Sequence, residues 1–275
     1  MYTQAKSSNE SKPITLTALA RMKADKVKIT CLTAYDASFA ALVDEAGIDV
    51  VLVGDSLGNV IQGHATTVPV TVDDIVYHTR LVARGLKRAF LIADMPFLSY
   101  PTPELALANA GRLMQEGGAK MVKLEGSGHQ ADIVRYLAEN GVPVCAHLGL
   151  RPQFVHKLGG YMVQGRQAKA AKQMLDDAQL LEKAGADLIL LELVPTDLAA
   201  KIAAKVEVPV IGIGAGPKVD GQILVLYDML DITPGRKPKF VRNFMADGGT
   251  LSGAVAAYIK AVRNRSYPAA EHSFD

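Results

Sequence analysis

Tryptophan is absent from this 275-residue chain, aromatic residues make up only 6%, and there are just two cysteines. So few aromatic faces leave little surface on which bases or sugars could stack. Cys31 and Cys145 each lie inside a short apolar run, where a thiol behaves as a small hydrophobe. No disulfide framework is expected, and a reducing compartment fits. An excess of charge is missing too: 30 basic residues against 28 acidic ones leave a net +2. Without a clustered basic stretch to neutralise phosphates, nucleic acid is excluded as an expected partner. No apolar stretch approaches the roughly 20 residues that span a bilayer. Residues 1–13 are polar, unlike a basic start followed by an apolar block. The expectation is a soluble, cytoplasmic protein with no membrane partner.

What the chain does contain is a repeating order of helical stretch, Ala/Gly stop and short apolar run. Eight runs follow this order: Val27–Thr33, Val50–Gly54, Phe90–Asp94, Met121–Glu125, Val142–His147, Leu188–Glu192, Val208–Ile213 and Val225–Leu230. They lack polar alternation, as strands buried on both faces do. Helical patterning covers Ala37–Glu45, Val72–Leu86, Pro103–Gln115, Ala131–Asn140, Gln167–Ala184 and Thr196–Ala204. Several of these stretches stop at glycine, as in Glu45-Ala46-Gly47, Gln115-Glu116-Gly117 and Lys183-Ala184-Gly185. Eight strands with interleaved helices predict a TIM (β/α)₈ barrel rather than an open doubly wound sheet. The first strand ends in Thr33-Ala34-Tyr35-Asp36 instead of a glycine-rich nucleotide turn. Ile14–Met22 reads as an N-terminal helix capping the barrel bottom, and Asp247–Arg263 as a terminal helix. The whole of 1–275 forms one domain, with tails at 1–13 and 265–275.

Ionisable residues close five successive runs: Asp55, Asp94, Glu125, His147 and Glu192. Barrel enzymes place their active sites at that end of the strands. Any one of these residues alone reads as a helix cap or a solvated strand end. Five in succession point to a site. Lys123 and Glu125, two apart, share a face of their strand. A lysine buried there should meet carboxylates or an anionic ligand, the purely structural alternative being a buried ion pair with Glu125. Carboxylates converging from neighbouring strands need a positive charge among them, and oxygen ligands favour Mg²⁺ over Zn²⁺. Glu192 lies two strands beyond Glu125 and reads as a proton-transfer group rather than a ligand. Spacing alone leaves that division open.

Other motifs say less. Gly212-Ile213-Gly214-Ala215-Gly216 follows strand seven, where barrels often bind phosphate, yet it serves equally as a tight turn. His64, His78, His129, His156 and His272 read as surface or packing residues. No Gly-x-Ser-x-Gly elbow supports a hydrolase triad.

Longer blocks carry a resemblance. They include Val53-Gly54-Asp55-Ser56-Leu57-Gly58, Gly63-His64-Ala65-Thr66-Thr67-Val68-Pro69, Ala93-Asp94-Met95-Pro96-Phe97 and Val122-Lys123-Leu124-Glu125-Gly126. Ala146-His147-Leu148-Gly149-Leu150, Gly160–Arg166, Pro238-Lys239-Phe240 and the tail Glu271-His272-Ser273-Phe274 continue in order. Nearly end to end, the chain resembles the ketopantoate hydroxymethyltransferase family. That resemblance implies transfer of a hydroxymethyl group from 5,10-methylenetetrahydrofolate to 3-methyl-2-oxobutanoate through a Mg-stabilised enolate. The product would be 2-dehydropantoate, a precursor of pantothenate and coenzyme A. It implies Mg²⁺ held by Asp55, Asp94 and Glu125, with substrate contacts from Asp55, Ser56, Asp94 and Lys123. Glu192 would be the proton acceptor, His147 a contact near the metal site, and the assembly a homo-oligomer, typically a decamer.

Two positions depart from the family pattern: Leu193, where Cys is frequent, and Asp231, where Gly is frequent. Leu193 should face away from Glu192 and alter packing only. Two rival readings remain. One is a 2-oxo-acid C–C or C–P lyase or mutase on a related barrel, which would turn over without folate. The other is a non-catalytic barrel that binds metal without turnover.

Overall fold

The structure, a computed structural model, describes residues 12–235 and 237–275. Most of the expected N-terminal tail therefore lies outside the described residues. Eight parallel strands close into a barrel in sequence order. They are β1 (Ile29–Thr33), β2 (Val50–Val53), β3 (Phe90–Asp94), β4 (Met121–Glu125), β5 (Val144–Gly149), β6 (Leu188–Glu192), β7 (Val210–Ile213) and β8 (Gly221–Leu224). β1 closes the ring by pairing with both β2 and β8. All but the last residues of β5 and β6 are buried, which explains the absence of polar alternation.

The helices are α1 (Leu16–Ala24), α2 (Ala37–Glu45), α3 (Leu57–Val60), α4 (Val72–Gly85), α5 (Pro103–Gln115) and α6 (Ala131–Glu139). They continue with α7 (Val155–Leu158), α8 (Ala168–Lys183), α9 (Thr196–Lys205), α10 (Leu226–Met229), α11 (Met245–Gly248) and α12 (Leu251–Arg263). Local chemistry sets their ends. Thr71 and Asp74 form a reciprocal capping box on α4, and Thr102 caps α5 with Pro103 in its first turn. Gly47 and Gly185 take the left-handed conformation after α2 and α8, whereas after α5 that residue is Gly118 rather than Gly117.

Helix α1 crosses the strand-start end of the barrel, as expected. Ile14 N–H donates to Arg88 O just before β3 (2.8 Å), and Lys23 Nζ donates to Val208 O just before β7 (2.8 Å).

The eighth strand is a correction. Val225–Leu230 is not β8; most of it forms α10, and β8 comes earlier, at Gly221–Leu224. Its Gly-Gln start hid it from apolar patterning. Gly221 is required because a Cβ would lie 2.5 Å from Ile29 O, and the buried Gln222 satisfies its amide on Gly216 O (3.0 Å). The residues expected as a polar C-terminal tail also pack closely: Tyr267, His272 and Ser273 are buried.

Candidate active site

Inside the barrel, Ile92, Lys123, Cys145 and Leu190 line one small void, which identifies the inward face of β3 to β6. Two residues further along the same strands come Asp94, Glu125, His147 and Glu192. The period of two therefore aims all four into the mouth of the barrel. Register makes Asp94 the partner of Lys123 and Glu125 the partner of His147. Asp55 follows β2, and its N–H donates to Asp94 Oδ2 (3.2 Å).

Lys123 meets Asp94, not Glu125: its ammonium donates to both carboxylate oxygens at 2.6 and 2.7 Å. Burial opposes the lysine's charge, but Asp94, Glu125 and Asp55 outweigh it and hold the group cationic. The pair satisfies what would otherwise be an expensive buried cation.

The other acids are less well supplied. Asp55 Oδ2 and Glu125 Oε1 are buried with no hydrogen-bond partner, and both nitrogens of His147 share that condition. Burial, reinforced by Asp94, pushes the Asp55 carboxyl up to about 7. Burial also drives Glu125 well above the usual range against the pull of Lys123, with Asp55 and Asp94 adding to it. Burial and then Lys123 push His147 well below the ordinary imidazole value, so it is neutral. Its ring lies between two carboxylates, 3.6 Å from Glu125 Oε1 and 3.4 Å from Glu192 Oε2. Glu192 keeps 16% of its side chain exposed. Burial raises its carboxyl to about 8.

Several supports escaped the sequence reading. Gln153 N–H donates to Glu125 Oε2 (3.1 Å), its amide donates to Met95 O (2.9 Å), and Tyr100 OH donates to Gln153 Oε1 (2.6 Å). Nothing in strand periodicity points to Gln153, which sits in a single turn after β5. Tyr35 OH hydrogen-bonds Ser56 Oγ at 2.8 Å. Its only signal was membership of the Thr33–Asp36 block.

Leu193 corrects an expectation. It adopts a left-handed φ of 48°, which breaks strand alternation and turns the side chain onto the cavity wall instead of away from Glu192. Asp231 likewise has a φ of 59°, a backbone state that glycine adopts without penalty. Asp55, Ser56, Asp94, Lys123, Glu125, His147, Glu192 and Leu193 open onto a cavity of about 970 Å³, also lined by Tyr161, Phe240 and Phe274.

Among the described residues, no three His, Cys, Asp or Glu side chains are gathered closely enough to form a metal-binding group. Asp94 is engaged by Lys123. The unpartnered oxygens of Asp55 and Glu125 nonetheless suit a hard divalent cation that retains several water ligands.

The barrel is similar to that of a phosphonopyruvate hydrolase solved with oxalate and Mg²⁺, with a TM-score of 0.58 and 15% identity over 76% of this chain and 80% of that one. An oxaloacetate acetylhydrolase solved with 3,3-difluorooxalacetate matches with a TM-score of 0.60 and 15% identity, over 94% of this chain and all (100%) of that one. At such identity these likenesses concern the fold alone. Sequence relatives are much nearer. The 3-methyl-2-oxobutanoate hydroxymethyltransferase of Alkalilimnicola ehrlichii is 60% identical, covering 96% of this chain and 95% of its own. Its counterpart in Marinobacter nauticus is 58% identical over 95% and 98%. With the family model for ketopantoate hydroxymethyltransferase also matching residues 13–270, the chain belongs to that family of hydroxymethyl-transferring enzymes.

Proposed function

We propose that this enzyme transfers a one-carbon unit from 5,10-methylenetetrahydrofolate to C3 of 3-methyl-2-oxobutanoate, with Glu192 as the base. The observation carrying this reading is Glu192 itself. It faces the cavity beside a buried acid cluster, and its carboxyl is raised to about 8. A carboxylate of that basicity suits removal of a proton next to a carbonyl.

Asp55, Asp94 and Glu125 would hold Mg²⁺. When bound, Mg²⁺ polarises the keto oxygen and offsets the charge that develops there. Ser56 and Lys123 orient the 2-oxo acid together with Asp55 and Asp94, and the ammonium of Lys123 offsets the substrate's own carboxylate. The neutral ring of His147, 3.4 Å from Glu192, positions the base. Water breaks both carbon–nitrogen bonds of the folate methylene, leaving tetrahydrofolate and a one-carbon unit at the formaldehyde level that already carries the hydroxyl oxygen. Glu192 accepts the C3 proton, the resulting carbanionic carbon forms a bond to the formaldehyde carbon, the alkoxide takes up a proton, and 2-dehydropantoate leaves with tetrahydrofolate. We place the enzyme in the cytoplasm as a homodecamer, which sedimentation of the purified protein tests.

Product analysis with and without methylenetetrahydrofolate is the decisive experiment. Product that appears only with folate supports the transferase, whereas folate-independent cleavage of a 2-oxo acid would indicate a lyase. Solvent deuterium should enter C3 in the presence of Mg²⁺ even without folate. Glu192→Gln should slow that exchange by roughly 10²–10⁴-fold; undiminished exchange removes Glu192 from the role of base.

A further inference from the structure

We propose that Leu193, Phe240 and Phe274 form the shelf on which the flat rings of the folate co-substrate lie, beside Glu192. The inference rests on the folate-donor reading above and assigns residues to it. The cavity's roughly 970 Å³ far exceeds what a five-carbon 2-oxo acid fills. It is at the upper end of the volumes that drug-sized ligands occupy. The acids, Lys123 and His147 take one wall. The wall against Glu192 is apolar, because Ile213, its register partner on β7, leads directly into the glycine turn.

That turn explains why the shelf can exist. A Cβ on Gly214 would come within 3.0 Å of Phe240, 3.2 Å of Phe274 and 3.3 Å of Leu193, so the three side chains converge where a side chain has been omitted. Leu193 reaches this point only through its left-handed bend. Phe240 and Leu193 are buried at 6% and 8% exposure, while Phe274, directly before Asp275, is half-buried and faces the cavity.

A phenylalanine in a tail would ordinarily be mobile, yet this one is tied down at several points. Thr196 donates to Phe274 O through both its N–H (2.9 Å) and its hydroxyl (3.1 Å). Tyr267 OH donates to Phe240 O (2.5 Å), and Arg166 Nε donates to Asp275 O (3.1 Å). An ordered aromatic face beside the base suits stacking of a flat ring such as a pterin. Lys239 Nζ, 5.1 Å from the centre of the Phe274 ring, and Lys237 also line the cavity and make this end of it cationic, which suits an anionic co-substrate.

Calorimetric titration of the full-length protein with tetrahydrofolate, and separately with 3-methyl-2-oxobutanoate and Mg²⁺, tests the assignment. In Phe274→Leu the Kd for tetrahydrofolate should rise about tenfold, in line with the loss of one stacked ring. The Kd for the 2-oxo acid should rise far less, and Phe274→Tyr should restore most of the folate affinity. Phe240→Leu provides a second variant with the same expected split. Unchanged folate affinity in both Leu variants, or equal losses for the two ligands, overturns the shelf. Wild-type protein that binds no tetrahydrofolate sinks the donor reading, and the shelf with it.

Discussion

The two ends of the barrel treat buried carboxylates in opposite ways. At the strand-start end, Asp49 is 1% exposed and fully supplied. It accepts from the Thr30 N–H (2.9 Å) and hydroxyl (2.8 Å), and it pairs with Arg88 (2.9 Å) and Arg263 (2.6 Å). At the strand-finish end, Asp55 and Glu125 are as deeply buried but leave oxygens without partners. A satisfied buried acid ties elements together, whereas an unsatisfied one raises the energy of the folded state. Such a cost persists where function uses the group. The contrast sets a fully paired structural carboxylate apart from the two to which the proposed function assigns a metal.

Stability should break along that line. Asp49→Ala strands two guanidinium groups, and chemical denaturation should register a loss of about 3 kcal/mol, the low end for a broken buried pair because both arginines stay partly solvated. Asp55→Asn should do the reverse in chelator. Its melting temperature should match or exceed that of the wild type, while Mg²⁺ no longer raises it and turnover falls by on the order of 10²-fold. A large loss of stability in Asp55→Asn would erase the distinction between the two ends.

Dependence on pH sharpens it further. The Glu192 carboxyl is raised from an ordinary 4.5 to about 8. The folded protein therefore holds this proton more tightly than the unfolded chain does. Its contribution to stability is complete below about pH 4.5 and is lost as the pH rises through about 8. As a base the group must be ionised, so C3 exchange should climb over the same interval in which stability falls. Glu192→Gln should flatten its share of the stability slope, and an unchanged slope in metal-free protein counts against the raised value. The smallest effect belongs to Asp231→Gly. Glycine relieves the left-handed backbone but loses the Asn243 hydrogen bond at 3.1 Å. The two should nearly cancel, leaving stability within about 0.5 kcal/mol.

Much of the site was legible because strand periodicity is a strong local signal. Runs such as Phe90–Asp94, Met121–Glu125 and Leu188–Glu192 coincide with the observed strands to the residue. Their closing acids could therefore be placed at the barrel mouth. β8 was illegible for the converse reason: Gly221 is required by close approach of the adjacent β1 and β7, Gln222 satisfies its amide on Gly216 O in the preceding turn, and the apolar run after them forms a helix. Leu193 misled because alternation was extended one residue past the strand, where the backbone turns left-handed. Both cysteines are buried and unpaired, as their apolar runs indicated.

By itself, then, the sequence determined the barrel class, the order of its strands up to the seventh, and which strand ends carry ionisable groups, since each depends on patterns within a few residues. It also determined the family, through blocks spread along its length. Only the tertiary structure decided that Lys123 pairs with Asp94 rather than Glu125, because register between strands sets that distance. It alone brought Gln153 under Glu125 and folded Phe274 over the mouth beside Glu192, since such contacts join segments whose separation along the chain carries no local signal.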